Sequence, residues 1–117
     1  MSEYFPKFKP GAAITYDVSA PVQAGQMVEI TGPRTVAPAS AASTKVVGVA
    51  GFDAAVTDKV TVYRGGVQTL RVAAAVTAGD QVEAAPDGMA VSGEDAVIGI
   101  ALTDADADGL ADVMWTL

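Results

Sequence analysis

Apolar and polar residues alternate in short runs along most of the chain. Clear examples are Ala13–Val18, Lys59–Tyr63 and residues 67–72. This period of two turns successive side chains towards opposite faces, as in a β-strand with one buried face. Similar runs predict further strands at residues 27–31, 34–37, 46–52, 81–85, 89–91, 97–102 and 111–116. Because many short strands recur and helical signals are poor, we predict an all-β fold.

Turn-forming residues separate these runs. Pro86-Asp87-Gly88 combines a preset φ at the proline with tolerance of positive φ at the glycine, and it predicts a turn. Gly65 and Gly66 lie between two alternating runs, and this spacing predicts a β-hairpin. Residues 37–43 are rich in alanine but contain a proline and two serines, so we predict a loop there.

The chain repeats its own pattern. Residues 22–30 match residues 76–84 at an offset of 54, with identities at five of nine positions. Residues 46–54 match residues 97–105 at an offset of 51, again at five of nine positions. An Ala-Gly turn, a strand, a loop, a glycine-containing strand and an aspartate follow in the same order in both copies. We infer an internal duplication from this order.

We therefore predict a small β-barrel or sandwich built from two similar halves related by a pseudo-two-fold axis. The first half covers residues 12–63 and the second half residues 67–117, and together they form a single β domain. Two facing half-sheets would bury their valine and isoleucine faces against each other. Gly48 and Gly99 fall inside predicted strands, which indicates a bulge, a bend or the close approach of another backbone.

Residues 1–11 are predicted to form an extended N-terminal arm outside this domain. Prolines and a glycine interrupt any regular pattern, yet the arm carries three of the chain's seven aromatic residues. A merely disordered segment would not concentrate aromatic side chains. The arm is expected either to fold back on the domain or to dock on a partner. The side chains available for that contact are Tyr4, Phe5, Lys7, Phe8 and Lys9.

Composition excludes several functional classes. The 117 residues contain no Cys and no His, which removes disulfides, the usual zinc sites and His-dependent nucleophile pairs. The net charge of −7 argues against nonspecific nucleic-acid binding. No apolar run reaches the roughly 20 residues of a membrane helix, and the N-terminus lacks the apolar core of a signal peptide. We predict no enzymatic activity, no cofactor, and no nucleic-acid or membrane partner.

The charges are unevenly distributed. All seven Lys and Arg residues lie in residues 1–71, which also hold five acids, whereas residues 72–117 hold nine acids and no base. Two interpretations remain open. The acidic part is either a solvated face that keeps the protein soluble, or an end that meets a basic partner or the basic end of a neighbouring copy.

One acidic segment has the spacing of a calcium loop. Asp104, Asp106 and Asp108 would occupy positions 1, 3 and 5, followed by a glycine at position 6. Position 12 requires a bidentate Glu but is Trp115, and the flanking segments are predicted strands rather than helices. We therefore predict an exposed acidic turn rather than a metal site. If a metal were bound, these three aspartates would be the candidate ligands. Trp115 itself is expected in the core or at a subunit contact.

In order and spacing, these elements resemble the capsid decoration proteins, or cement proteins, of tailed bacteriophages. The matching features are residues 10–16, 22–28, 47–50, 76–82 and 97–101, followed by the acidic turn and residues 112–117. The resemblance implies a small, mostly β protein on the outside of the phage head. It also implies trimers at three-fold positions that clamp neighbouring major capsid subunits after the shell expands.

On this resemblance we expect a virion protein that is made in the host cytoplasm and binds the capsid exterior. Its partners would be the major capsid protein and further copies in a homotrimer. Phe5 and Phe8 of the arm would be apolar anchors on the capsid, and Lys7 and Lys9 would meet capsid carboxylates. The alternative hypothesis is a β-barrel adhesion or interaction module of a tail, a fibre or a cell-surface assembly.

Overall fold

The computed structural model describes residues 13–117, and within them ten strands and one turn of 3-10 helix (Pro86–Gly88) form the regular structure. The first half contains β1 (Ala13–Val18), β2 (Met27–Gly32), β3 (Thr35–Pro38), β4 (Val46–Ala50) and β5 (Lys59–Tyr63). The second half contains β6 (Val67–Arg71), β7 (Gln81–Ala84), β8 (Ala90–Ser92), β9 (Gly99–Ala101) and β10 (Leu110–Trp115). The predicted all-β fold is confirmed. This part of the chain has no helix with the length and hydrophobicity needed to cross a bilayer.

The first half is a closed barrel. Its strands neighbour one another in the order β1-β3-β2-β4-β5, and β5 returns to β1. The pairing of β1 with β3 is parallel and aligns Val18 with Val36, whereas the other pairings are antiparallel. Val60 and Val62 of β5 are buried against these valines, because the alternation along the strand turns them inwards.

The second half repeats this pairing strand by strand. Its order is β6-β10-β9-β7-β8, so each strand takes the place of its counterpart in the first half. A parallel bridge between Val72 and Ala90 brings the two ends of this sheet together. These positions are equivalent, at the offset of 54, to Val18 and Val36 in the first half. The predicted construction from two similar halves is confirmed, with a closed barrel in the first half and a five-stranded sheet in the second.

The predicted Gly-Gly hairpin is wrong. β5 pairs with β1 and β4, and β6 pairs with β10, so β5 and β6 form no ladder with each other. The segment instead connects the two halves, and Gly65 and Gly66 adopt φ values of 74° and 62° there. The hairpin signal misled because the last strand of one half and the first strand of the next each close their own sheet.

Each half also buries its own core, whereas the sequence predicted two half-sheets that face each other. One cluster lies entirely in the first half and includes Val22, Val28 and Ala54. The other lies mainly in the second half and also includes four residues of the first half: Met27, Ala39, Val46 and Val49. The parallel contact is the physical reason, since it curls each sheet around its own apolar face.

Gly48 and Gly99 mark a close approach of two backbones, one of the possibilities that their strand positions predict. A Cβ atom at Gly48 would meet the carbonyl oxygen of Tyr63, and a Cβ atom at Gly99 would meet the carbonyl oxygen of Met114. Tyr63 and Met114 are themselves equivalent positions at the offset of 51. Both halves therefore use glycine to bring the fourth strand onto the fifth.

Candidate interaction surfaces

The side chains predicted for the arm lie outside the described residues: Tyr4, Phe5, Lys7, Phe8 and Lys9. The described chain begins at Ala13, which pairs with Tyr63 at the end of β5. Because the connection between the two halves starts at the next residue, Arg64, the first described residue lies beside that connection.

The candidate calcium loop forms a turn before β10. Asp104 Oδ1 accepts a hydrogen bond of 2.8 Å from the backbone N–H of Ala78. The carbonyl of Asp106 accepts a hydrogen bond from the N–H of Gly109 at 2.8 Å, and Asp108 has a positive φ of 65°. Within residues 13–117, no three acidic side chains form a group that could hold a metal ion. The structure thus places the three aspartates in one turn without bringing their carboxylates together around a common centre.

Asp104 has a structural counterpart in the first half. Asp53 Oδ1 accepts a hydrogen bond of 2.9 Å from the backbone N–H of Ala24. In each half, an aspartate beyond the fourth strand therefore fastens the Ala-Gly turn before the second strand. The repeat in the sequence shows both aspartates but not this role, because their partner is a backbone group more than 20 residues away.

A second contact inside the Ala-Gly turn differs between the halves. In the first half, Gln26 Oε1 accepts a hydrogen bond from the N–H of Gln23 at 2.8 Å. In the second half, Asp80 Oδ2 accepts hydrogen bonds from the N–H of Thr77 at 2.9 Å and from the hydroxyl of Ser92 at 2.8 Å. These two bonds favour the carboxylate and lower the pKa of Asp80. This one contact of the turn is therefore made by a carboxylate in the second half and by a neutral amide in the first.

Equivalent glutamates hold the loop that leads to the fourth strand of each half. Glu29 Oε1 accepts hydrogen bonds from the N–H of Ser40 at 2.6 Å and from its hydroxyl at 2.9 Å. Burial raises the pKa of Glu29, but these bonds and smaller contributions from neighbouring groups more than offset it, so the net pKa is lowered. Glu83 is buried and accepts a 3.3 Å hydrogen bond from the N–H of Ala96. Both carboxylates therefore hold loops in place.

A cleft of about 320 Å³ separates the two halves on one side of the molecule. The Gln26 side chain donates a hydrogen bond of 2.9 Å from Nε2 to the carbonyl of Asp87, which joins the halves. The N–H of Gly88 donates to the carbonyl of Ala39 at 2.9 Å. A Cβ atom at Gly88 would meet the carbonyl of Met27, so the two backbones touch at this point. These contacts fix one half against the other.

Trp115 is buried, in agreement with the core position that was one of its two expected locations. It belongs to the larger hydrophobic cluster and is 8% exposed. Its indole N–H has no hydrogen-bond partner in the described part of the chain. A pocket of about 120 Å³ beside it is lined by residues of both halves, including Tyr16, Val47 and Leu117.

The second half carries an exposed apolar surface that the sequence analysis missed. Cross-strand pairing places Val67 beside Met114, and Met114 beside Ile100. The period of two along β9 and β10 puts Leu102, Asp112 and Leu110 on the same side, so one acid lies between the apolar side chains of β10. We call this surface the apolar face, and it consists of Val67, Ile100, Leu102, Leu110 and Met114. The available signal was that these strands carry large apolar residues on both faces, where a half-buried strand alternates with polar ones.

The equivalent surface of the first half carries a charged residue at one position where the second half is apolar. The Nζ of Lys59 lies 2.5 Å from Oδ1 of Asp17 across the β1–β5 pair, and both side chains are exposed. At the offsets of the repeat, Lys59 corresponds to Leu110, and Tyr63 corresponds to Met114. The other counterparts of the apolar face are Ala13, Val49 and Gly51.

Comparison with known proteins gives a family and a fold. A family model described as phage cement protein matches residues 8–115. Among solved structures, the N base of the head fibre protein gp8.5 of bacteriophage phi29 matches with a TM-score of 0.75. The match covers 89% of this chain and 92% of that chain at 21% sequence identity, and at this identity it speaks to the fold alone. No curated protein sequence matches the chain.

Proposed function

This chain belongs to the phage cement protein family, and on that premise we propose that it binds the outside of the expanded phage head and stabilises contacts between neighbouring major capsid subunits. Family membership makes it a capsid-associated structural protein and a component of the virion. The observation that carries the proposal is the family match itself, which spans residues 8–115 and so includes both halves and the end of the arm.

In this proposal the protein is made in the host cytoplasm and acts as homotrimers at three-fold positions of the shell, without catalysis. The repeated architecture supports such a role, because two halves with the same strand order but different outer surfaces can contact different neighbours. The placement of the acids also supports it. Asp53, Asp104, Glu29 and Glu83 accept hydrogen bonds from backbone groups of turns and loops, so they act as structural acceptors.

The arm supplies the main capsid contact in this proposal. Phe5 and Phe8 are the apolar anchors, and Lys7 and Lys9 meet carboxylates of the shell. Tyr4 adds a further aromatic contact. An extended segment of this kind can also add backbone hydrogen bonds to an exposed strand edge of the partner.

Co-sedimentation of the purified protein with expanded and unexpanded heads, followed by imaging of the pellets, tests this function. We expect saturable binding to expanded heads, with density at three-fold positions. Absence of binding to either head form would overturn the cement role and favour the adhesion or interaction module.

A matched pair of variants tests the arm. The double substitution Phe5→Ala and Phe8→Ala is expected to weaken binding to heads without lowering the melting temperature. Phe52→Ala removes an aromatic ring of the domain that is 48% exposed, and it serves as the control. A sharp fall in melting temperature for the arm variant would show instead that the arm packs on its own domain.

A further inference from the structure

We propose that the outer edge of β6 is a docking site for the N-terminal arm of the same chain, which adds to this edge as a further strand through the backbone of residues 3–9. A strand edge presents a row of unpaired N–H and C=O groups, and an extended segment can pair with that row. This docking concerns the free protein and goes beyond the proposed function, because it uses backbone groups of the arm rather than its capsid-binding side chains.

The backbone groups of β6 alternate between its two edges. The N–H of Trp115 donates to the carbonyl of Gly66, and the N–H of Val72 donates to the carbonyl of Gly109, each at 2.9 Å. These two bonds show that the even-numbered residues of this strand direct their backbone groups towards β10. Three residues therefore direct their N–H groups to the outer edge: Val67, Thr69 and Arg71.

This outer edge is open in the part of the chain that the structure describes. None of the three N–H groups donates to an acceptor within residues 13–117. In the first half the N–H of Asp17 donates to the carbonyl of Arg34 at 2.9 Å, but its counterpart, Arg71, makes no such bond. Two residue pairs join β1 to β3, whereas the single bridge between Val72 and Ala90 follows β6. The second half thus leaves more of the edge exposed.

The arm has the sequence pattern of a strand that pairs along one edge only. Both of its prolines, Pro6 and Pro10, are at even positions, so residues 3, 5, 7 and 9 keep their N–H groups. In an extended chain these odd-numbered residues direct their backbone groups to one edge, and the prolines lie on the other. Proline within a sheet is confined to such an outer edge. The arm is therefore suited to add to an open edge and to end the sheet there.

The position and length of the arm favour the β6 edge of its own chain. Ala13 pairs with Tyr63, and β6 begins soon afterwards at Val67. The arm therefore starts close to one end of this edge. Residues 1–11 reach about 36 Å when extended, whereas β6 spans about 16 Å. The arm is long enough to run along the whole edge.

Charge complementarity supports the same occupant. The cleft between the two halves borders this edge, because Thr69 and Arg71 line it. Two acids, Asp87 and Asp108, line the same cleft, and residues 72–117 hold nine acids and no base. The arm carries two lysines against one acid, so docking brings opposite charges together.

The outer edge of β1 is nearer to the arm, but backbone geometry disfavours it. A two-residue turn at Pro10 and Gly11 would fold the arm back along β1 and set its odd-numbered residues opposite Ile14 and Tyr16. The backbone groups of Ile14 and Tyr16 face β5, because Asp17 directs its N–H to the other edge. Such a hairpin would compete with β5 for the same groups.

Amide hydrogen exchange of the free protein, measured by NMR, tests the docking. In the native chain we expect the amides of Val67, Thr69 and Arg71 to exchange about tenfold or more slowly than unprotected amides. The amide of Thr15, which has no partner among the described residues, lies on the outer edge of β1 and should stay unprotected. The amide of Leu70 faces β10 and should be protected throughout.

A matched pair of proline variants tests the pairing edge. Phe5→Pro removes an N–H from the odd-numbered edge, and we expect the three β6 amides to lose about tenfold in protection. Phe8→Pro removes one from the edge that already carries both prolines and should leave their protection unchanged. Alanine at Phe5 and Phe8 keeps both N–H groups, so an unchanged melting temperature for that double variant is compatible with docking.

Four results would overturn the proposal. Unprotected β6 amides in the native chain would mean that nothing docks there, and equal losses in the two proline variants would mean that the odd-numbered edge is not the contact. Protection that falls on dilution would mean that the arm of a second copy supplies it. Protection of Thr15 in place of Thr69 would mean that the arm folds back on β1. Heads are absent from this measurement, so failure of the proposed function is recognised separately.

Discussion

The first half and the second half of this protein use the same strand order and the same parallel bridge, yet they differ where they meet each other and where they meet solvent. Met27 of the first half is fully buried in the larger hydrophobic cluster, whereas its counterpart, Gln81, is exposed. On the outer surface, Lys59 of the first half corresponds to Leu110 of the second. The backbone is thus duplicated, but the surfaces are not.

The comparison separates what the fold requires from what it leaves open. Glycine at the strand crossing recurs in both halves at Gly48 and Gly99, and an aspartate on the Ala-Gly turn recurs at Asp53 and Asp104. These positions determine how closely strands approach and where turns are fastened. Outward positions carry no such demand, so the two halves differ there at single positions such as Lys59 and Leu110.

We expect the largest loss of stability from a substitution at the junction, where a buried residue of the first half corresponds to an exposed residue of the second. Met27→Ala removes a fully buried side chain that joins the first half to the larger cluster, and we expect it to lower the free energy of unfolding by about 2–5 kcal/mol. Gln81→Ala changes the equivalent exposed position and should cost less than about 0.5 kcal/mol. Chemical denaturation followed by circular dichroism and Trp115 fluorescence measures both.

The shape of the transition carries further information. Because residues of the first half complete the larger cluster, both probes should report one transition in the native protein. Similar losses for Met27→Ala and Gln81→Ala would contradict the asymmetry described here. Separate transitions in the native protein would show that the halves unfold independently.

A smaller effect is expected where the halves are alike. Gly48→Ala and Gly99→Ala each introduce a Cβ atom against a carbonyl oxygen of the neighbouring strand, and we expect each to cost about 1–3 kcal/mol. Gly32→Ala is the control, because its nearest neighbour would be a Thr35 atom at 3.7 Å, an ordinary contact. Denaturation midpoints measure the three variants. If only one of Gly48→Ala and Gly99→Ala lowered the denaturation midpoint, the contacts between the fourth and fifth strands would not be equivalent in the two halves.

Much of the fold could be predicted because its signals are local in the chain. The period of two located the strands to within one or two residues at each end, and the repeated turn showed the two halves. Local signals could not show whether the strands on either side of Gly65 and Gly66 pair with each other. Tyr63 pairs with Ala13 at the other end of the first half, and that choice depends on closure of the whole barrel.

The candidate surfaces could be predicted only in part, because a sequence does not show which backbone groups lack a partner. It indicated that Asp104 repeats Asp53 and that the acidic turn has no Glu at position 12. It did not indicate that each aspartate accepts a hydrogen bond from a distant turn. The apolar face was hidden for a related reason. Val67 and Leu110 have side chains that strands commonly bury, and only the pairing of β6 with β10 turns both outwards.

We expect the smallest effect from pH, which acts on the Asp80 contact of the second half but not on the equivalent Gln26 contact of the first. The pKa of Asp80 is lowered by the hydrogen bonds from Thr77 and Ser92, whereas Gln26 makes the equivalent contact in the first half without a charge. For a carboxyl group with a lowered folded pKa, the contribution to stability is fully present above the unfolded value of about 3.9 and is lost as pH falls through the folded pKa. Acid should therefore weaken the Asp80 contact in the second half, whereas the Gln26 contact in the first half has no group that titrates.

The amide proton resonances of Thr77 and Gln23, followed by NMR as the pH is lowered, report on the two turns separately. The Thr77 amide should shift with a midpoint below the ordinary pKa of aspartate, and the Gln23 amide should not follow that titration. Asp80→Asn keeps an acceptor oxygen but removes the charge, so the Thr77 titration should disappear. If it persisted in Asp80→Asn, the Asp80 carboxylate would not be its source, and the charged contact would not distinguish the two turns. The difference between the halves would then lie only in their surfaces and at their junction.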